Sequence, residues 1–251
     1  MLTGIVLVKN EASNLGKCLP GLAFCDHILV IDDNSTDDSV KVAQRYGAEI
    51  MPHLLNGDFA AARNWALKQA KTPWVLFVDA DEIVSPKLAT EIQTAIQKIE
   101  FKGFAIRRLD VLWGQTLNHG DVGDVWLVRL ARRGAGSWKG PVHETWQIEA
   151  QVGRLKQPLL HYPHPDLVSF LERINHYSTL KADYFFKQNK KVGLLEIIGG
   201  PVWRFKKNYL LKFGFLDGTA GFVHAMLMAF YTFMVAGKLY LRYKGIGDEQ
   251  K

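Results

Sequence analysis

Short, wholly apolar runs alternate with stretches whose apolar residues recur every three or four positions, and this rhythm is regular over the first hundred residues. Gly4-Ile5-Val6-Leu7-Val8, His27-Ile28-Leu29-Val30-Ile31, Ala48 to Met51 and Trp74-Val75-Leu76-Phe77-Val78 read as strands. Between them, Leu15, Leu19 and Leu22 give a helical spacing over Ala12 to Leu22. A second helix, capped by Ser35 or Thr36, is predicted to run to about Tyr46, and a third spans Asp58 to Ala70. Ser85-Pro86 places an N-cap before a proline at the first helical position and opens a helix to about Ile99. Continuously apolar strands separated by helices predict an open parallel sheet covered on both faces.

After Phe101 the rhythm changes. Phe104 to Arg108, Val125 to Ala131 and Thr145 to Ala150 read as strands joined by loops, and from Asp166 the chain reads as helical, with a first helix to about Lys191. The expected division is therefore a catalytic α/β domain over 1–165 and a helical region over 166–251.

Charge sharpens that division. Residues 1–100 carry nine Lys/Arg against thirteen Asp/Glu, whereas 181–251 carry twelve against five. An acidic front and a basic tail point to different partners, and on charge alone an anionic membrane surface or nucleic acid suits the tail equally well. The twenty residues from Gly218 to Gly237 have His224 and Tyr231 as their only ionisable side chains, about enough to span a bilayer. Early glycines, scattered aromatics and basic residues on both flanks favour a helix lying in or dipping into the membrane surface; a buried C-terminal helix is the competing reading. No aromatic-interleaved basic motif marks nucleic-acid binding. Cys18 and Cys25 are too few for a disulfide framework, and no cleavable leader pattern precedes the first strand.

The chemistry concentrates at strand ends. Asp79-Ala80-Asp81-Glu82 directly follows the fourth strand, and in open α/β sheets ligands bind beyond the carboxyl ends of the strands. Carboxylates spaced in this way suit Mg²⁺ or Mn²⁺ holding a substrate diphosphate. The turn after the first strand, Lys9-Asn10-Glu11-Ala12-Ser13-Asn14, has no glycine, which excludes a dinucleotide fingerprint, and no Walker A sequence occurs.

Four motifs in register, Val8-Lys9-Asn10-Glu11, Ile31-Asp32-Asp33-Asn34-Ser35-Thr36-Asp37, Phe59-Ala60-Ala61-Ala62-Arg63-Asn64 and Val78-Asp79-Ala80-Asp81-Glu82, resemble an inverting family 2 glycosyltransferase of the GT-A fold. With the later Val142-His143-Glu144, the likeness is greatest to the lipopolysaccharide-core β-glucosyltransferases, and it covers roughly residues 3–165. The resemblance implies a Rossmann-like α/β sheet, a UDP-sugar donor, a divalent cation (Mg or Mn) and a glycolipid or oligosaccharide acceptor reached from the inner face of the cytoplasmic membrane. It implies that Val8, Asn10, Glu11, Asp32 and Ala80 line the nucleotide pocket, that Asp79 touches sugar or ribose, that Asp81 coordinates the metal with help from His143, and that Arg63 contacts the nucleotide or diphosphate. Glu144 is the expected general base, with Asp121 and Asp124 as fallbacks, because His-Glu departs from the family's usual Glu-Asp.

Bland readings stand beside these. Asp32 also fits a turn aspartate, Arg63 a solvated helix face, Glu82 a helix-approach acid, and Trp126, Trp138 and Trp146 core packing rather than sugar stacking. Arg129, Arg132 and Arg133 fit either an anionic acceptor or a solvated strand edge, and His161 and His164, three apart like a metal pair, are flanked by prolines that favour a structural turn. The competing functions are a sugar nucleotidyltransferase, whose glycine-rich signature is missing, and a membrane-bound sugar-nucleotide-binding scaffold without catalysis.

Overall fold

The computed structural model describes residues 1–140, 144–163 and 166–246. They form two compact units, 1–109 with 125–161 and 110–124 with 162–246.

In the first unit β1 (Leu2–Val8), α1 (Ala12–Cys18), β2 (His27–Asp32), α2 (Ser39–Arg45), β3 (Glu49–Pro52), α3 (Phe59–Gln69) and β4 (Trp74–Asp79) follow the predicted order. Next come β5 (Glu82–Ile83), α4 (Pro86–Ala95) and β6 (Gly103–Leu112), whose last three residues belong to the second unit together with β7 (Gln115–Thr116). The first unit resumes with β8 (Val125–Arg132), β9 (Gly136–Lys139), β10 (Thr145–Ile148), β11 (Val152–Arg154) and β12 (Leu159–His161).

The main sheet has the order β3-β2-β1-β4-β8-β6-β12-β5, with β11 beside β6. Strands β3, β2, β1 and β4 are mutually parallel, while β8 runs antiparallel to both β4 and β6. Alternation along the central strands assigns side chains to two cores. Trp74, Leu76 and Val78 of β4 join Leu15, Leu19, Leu88 and Ile92 on one face. Val75 and Phe77 join Ala66, Leu67, Trp138 and Trp146 on the other. Helices α1, α2 and α4 thus cover one side, and α3 with the β9–β10 hairpin covers the other. Gly136 is required in that hairpin, because a Cβ there would lie 1.8 Å from the Gln147 carbonyl oxygen.

Departures from the sequence reading have local causes. The first helix stops at Cys18 and tightens into a 3₁₀ turn over Leu19–Leu22, where Pro20 lacks the N–H that a continuing α-helix would use. Helix α2 starts at Ser39, not after Ser35 or Thr36, because Ser35 N–H bonds Asp32 and Thr36 N–H bonds Asn10. Asp58 caps α3 by accepting Ala61 N–H at 2.9 Å. Asp58→Ala is therefore expected to lower stability by about 1 kcal/mol in a urea melt.

The second unit is built on α5 (Leu167–Lys187), α6 (Leu194–Lys206) and α7 (Gly218–Tyr243). Its core joins Leu112 and Leu117 to Phe170, Ile174, Ala220 and Leu227. Asp121 pairs with Arg204 and Lys212 at 2.7 Å each, and His119 Nδ1 lies within hydrogen-bond distance of Asp217, at 2.8 Å. Helix α7 outruns its predicted end at Gly237, and Gly214–Tyr243 is long and apolar enough to cross a membrane, yet 44% of its most apolar window is buried within the protein. Helix α6 has no buried residue, and Leu195 is 86% exposed.

Candidate active site

Three loops meet at the carboxyl edge of the parallel strands. β1 ends at Val8, and the backbone then turns left-handed at Asn10 (φ 55°), a conformation asparagine tolerates better than most residues. The Asn10 side chain accepts Thr36 N–H at 2.7 Å, while Asn10 N–H donates to Ser35 Oγ and Glu11 N–H to Ser39 Oγ. The loops after β1 and β2 are thereby laced together before any ligand arrives. Asp32 closes β2 and accepts Ser35 N–H, so its carboxylate shapes the turn at that edge. Its neighbour Asp33 accepts from Lys9 Nζ at 2.9 Å and Leu55 N–H at 3.0 Å. Burial alone would raise the Asp33 carboxyl, but these donors outweigh it and hold it below the usual range.

That shift has a definite sign. A carboxyl depressed in the folded state stabilises it above the unfolded pKa of about 3.9 and loses this contribution as pH falls. Asp33→Asn is expected to lower stability at pH 7, and the gap from wild type should narrow progressively as pH falls below about 3.9; urea melts across that range measure it.

At the tip of β4 the carboxylates part company. Asp79 is clasped by two arginines: Arg63 of α3 donates from Nη2 to Oδ1 at 2.6 Å, and Arg129 of β8 donates to Oδ2. Arg129 also lies 3.2 Å from Glu82, whose other oxygen accepts Asp79 N–H at 2.9 Å. Both arginines are almost wholly buried, Arg63 at 3% and Arg129 at 5% exposure. Burial opposes ionisation of Asp79, but Arg129 and Arg63 overcome it and keep the carboxyl far below its normal range. Glu82, fully buried, is pushed the other way by burial, and the Asp79 charge adds to the push.

Arg63 bridges further, donating from Nε to Glu144 Oε1 at 2.8 Å. Glu144 Oε2 has no hydrogen-bond partner among the described residues. Glu144 lines a cleft of about 160 Å³ with Trp126, Arg129, Trp138 and Trp146. Trp138 and Trp146 stack on each other (centroids 5.3 Å apart) and are buried in the core, while the Arg63 guanidinium lies 4.7 Å from the Trp138 ring. Asn64 fixes this wall with a reciprocal pair of bonds to the Trp138 backbone, at 2.8 and 2.9 Å.

Asp81 stands apart from the arginines. Its Oδ2 lies 3.4 Å from His161 Nε2 at the end of β12, and both side chains are mostly buried. A carboxylate oxygen beside an imidazole nitrogen is a donor pair that Mn²⁺ accepts. The chemistry therefore fits a divalent cation, although no group of three or more metal-binding side chains occurs among the described residues. The remaining positions would fall to diphosphate oxygens and water.

Sequence reasoning brought Asp79, Asp81, Arg63 and Glu144 to one neighbourhood. It missed Arg129 as the partner of Asp79 and His161 as the neighbour of Asp81. His143, expected at the metal, and His164 lie outside the described residues. Asp121, a fallback base, has its carboxylate engaged by Arg204 and Lys212.

A parallel half-sheet with carboxylates at its strand tips is the architecture in which ligands bind beyond the carboxyl ends of the strands. The chain belongs to glycosyl transferase family 2, whose profile matches residues 4–150. It is 30% identical over 253 residues to the lipopolysaccharide core biosynthesis glycosyltransferase LpsC of Rhizobium meliloti (strain 1021), covering 96% of this chain and 93% of that protein. An uncharacterized glycosyltransferase of Rickettsia felis is 23% identical, covering 95% and 89%. Among solved structures, S. aureus TarS superposes with a TM-score of 0.50 at 16% identity, over 90% of this chain. The chain spans 54% of that structure, and the likeness is one of fold, in keeping with GT-A architecture.

Proposed function

We propose that the protein moves a hexose, with glucose the first candidate, from a UDP-sugar to a hydroxyl of a cell-envelope glycolipid, with inversion at the anomeric carbon. The observation that carries this reading is Glu144, which lines the cleft, is anchored through one oxygen by Arg63, and keeps its other oxygen without a hydrogen-bond partner among the described residues. A carboxylate so placed can take the proton of an acceptor hydroxyl as it attacks. Arg63 ties that base to Asp79, so sugar-binding strand tip and base form one connected unit. Val8, Asn10, Glu11, Asp32 and Ala80 would form the nucleoside end of the pocket. The near full-length likeness to LpsC supports an acceptor of the lipopolysaccharide-core kind.

Asp81 and His161 would hold a Mg²⁺ or Mn²⁺ ion, which supplies positive charge to the departing diphosphate. The helical unit would rest on the inner face of the cytoplasmic membrane through exposed apolar residues of α6 and the segment after it, such as Leu194, Leu195, Trp203, Leu211 and Leu216. Lys206 and Lys207 supply basic charge to that segment. The burial of nearly half of the α7 window favours contact in the membrane plane over a crossing helix.

The test is UDP release from a panel of UDP-sugars with Mn²⁺ or Mg²⁺ and a membrane glycolipid extract, using detergent-purified protein. Metal-dependent release from one donor, lost in Asp81→Ala, is the expected result. His161→Ala should raise the Mn²⁺ concentration for half-maximal release about 10- to 100-fold. Absence of release from every donor would overturn transfer and leave a binding-only protein.

A further inference from the structure

A second cavity lies wholly within the helical unit, about 270 Å³ in volume, between α5, α6 and α7. Its floor is apolar, formed by Val192, Val235, Ala236 and Leu239. Three lysines, Lys181, Lys190 and Lys191, converge on its rim. We infer that this cavity holds one anionic phospholipid, with an acyl chain on the apolar floor and the phosphate among the three lysines.

The charge arrangement argues for an anion. The ammonium groups of Lys181 and Lys190 lie 4.9 and 4.1 Å from the centroid of the same ring, Phe185. Each is attracted to the ring, so one aromatic side chain brings two cations to this side of the cavity. Among the described residues none of the three lysines forms an ion pair. The acid on the rim, Glu196, accepts Gly193 N–H at 2.8 Å; that bond and the Lys190 charge hold its carboxyl below the usual range, so it offsets one of the three lysine charges and leaves the rim net positive. A phosphate diester would supply the missing negative charge and several acceptors at once.

The apolar floor selects the rest of the ligand. Inorganic phosphate would leave that surface to water, and a zwitterionic lipid would bring its own cation to a rim already positive. An anionic lipid satisfies both halves. The proposal rests on the membrane-surface reading above and goes beyond it, because it calls for one specific lipid per chain and not only adsorption.

Two measurements on the detergent-purified full chain separate the two ideas: native mass spectrometry with dioleoyl phosphatidylglycerol or phosphatidylcholine, and flotation with vesicles of the same lipids. Wild type should retain one phosphatidylglycerol and no phosphatidylcholine, and millimolar inorganic phosphate should not displace it. K181Q/K190Q/K191Q should weaken retention at about fivefold per lysine. Gly200→Leu, whose side chain enters the cavity at a helical position open enough for a Cβ, should abolish retention yet keep vesicle binding. K206Q/K207Q, which removes charge elsewhere, should weaken flotation and leave the retained lipid unchanged. Equal retention of phosphatidylcholine, displacement by phosphate, or unaltered retention in Gly200→Leu would overturn the pocket while leaving membrane attachment standing. Loss of flotation in wild type would overturn both.

Discussion

Glu144→Gln is expected to lower kcat about 10²- to 10⁴-fold with little change in the donor KM. Glutamine keeps the shape and can still accept from Arg63 Nε, so the wall of the cleft should survive. What disappears is the capacity of Oε2 to receive a proton. The loss should therefore fall on the transfer step, and binding of UDP-sugar, followed by calorimetry, should stay within about threefold of wild type. A kcat within tenfold of wild type would move the base elsewhere and break the link between the cleft and the chemistry.

Arg129→Met should be the most damaging substitution for folding. It removes the cation shared by Asp79 and Glu82, leaving Asp79 with Arg63 alone and Glu82 without a guanidinium partner. Removing one partner of a buried charge network costs about 3–5 kcal/mol. Urea denaturation should show that loss, and transfer activity should go with it because Asp79 is no longer held. Burial already pushes Glu82 toward its protonated form, so adding Glu82→Gln should restore roughly 1–2 kcal/mol of the loss. A single variant as stable as wild type would mean that Arg129 only decorates the site.

The same arginine marks where the sequence stops being legible. The strand-forming runs and their carboxylate ends were plain, because a buried parallel strand needs an unbroken apolar run and its tip is where polarity resumes. In the sequence only the family resemblance gave Asp79 and Asp81 different roles; nothing local in the strand tip told them apart. What separates them is β8, an antiparallel strand inserted beside β4, which brings Arg129 to one carboxylate and not to the other. Sheet order of that kind leaves no local signature, so Arg129 read equally well as an edge residue. His161 was obscured for a similar reason: flanking prolines suggest a turn, and its meeting with Asp81 depends on β12 pairing with β5. Trp138 and Trp146 took the commoner fate of strand tryptophans and packed in the core.

The interleaving of the two units sets a timetable for synthesis. The chain leaves the first unit after Leu109, rejoins it at Val125 and leaves again after His161. Leu112 and Leu117 belong to a core completed by Ala220 and Leu227, which emerge from the ribosome on the order of a hundred residues later. At about 5–20 residues per second, these apolar side chains wait several seconds for their partners. Throughout that interval the nascent chain offers a sticky loop to chaperones or to neighbouring chains, and a product cut short after residue 161 would carry it permanently.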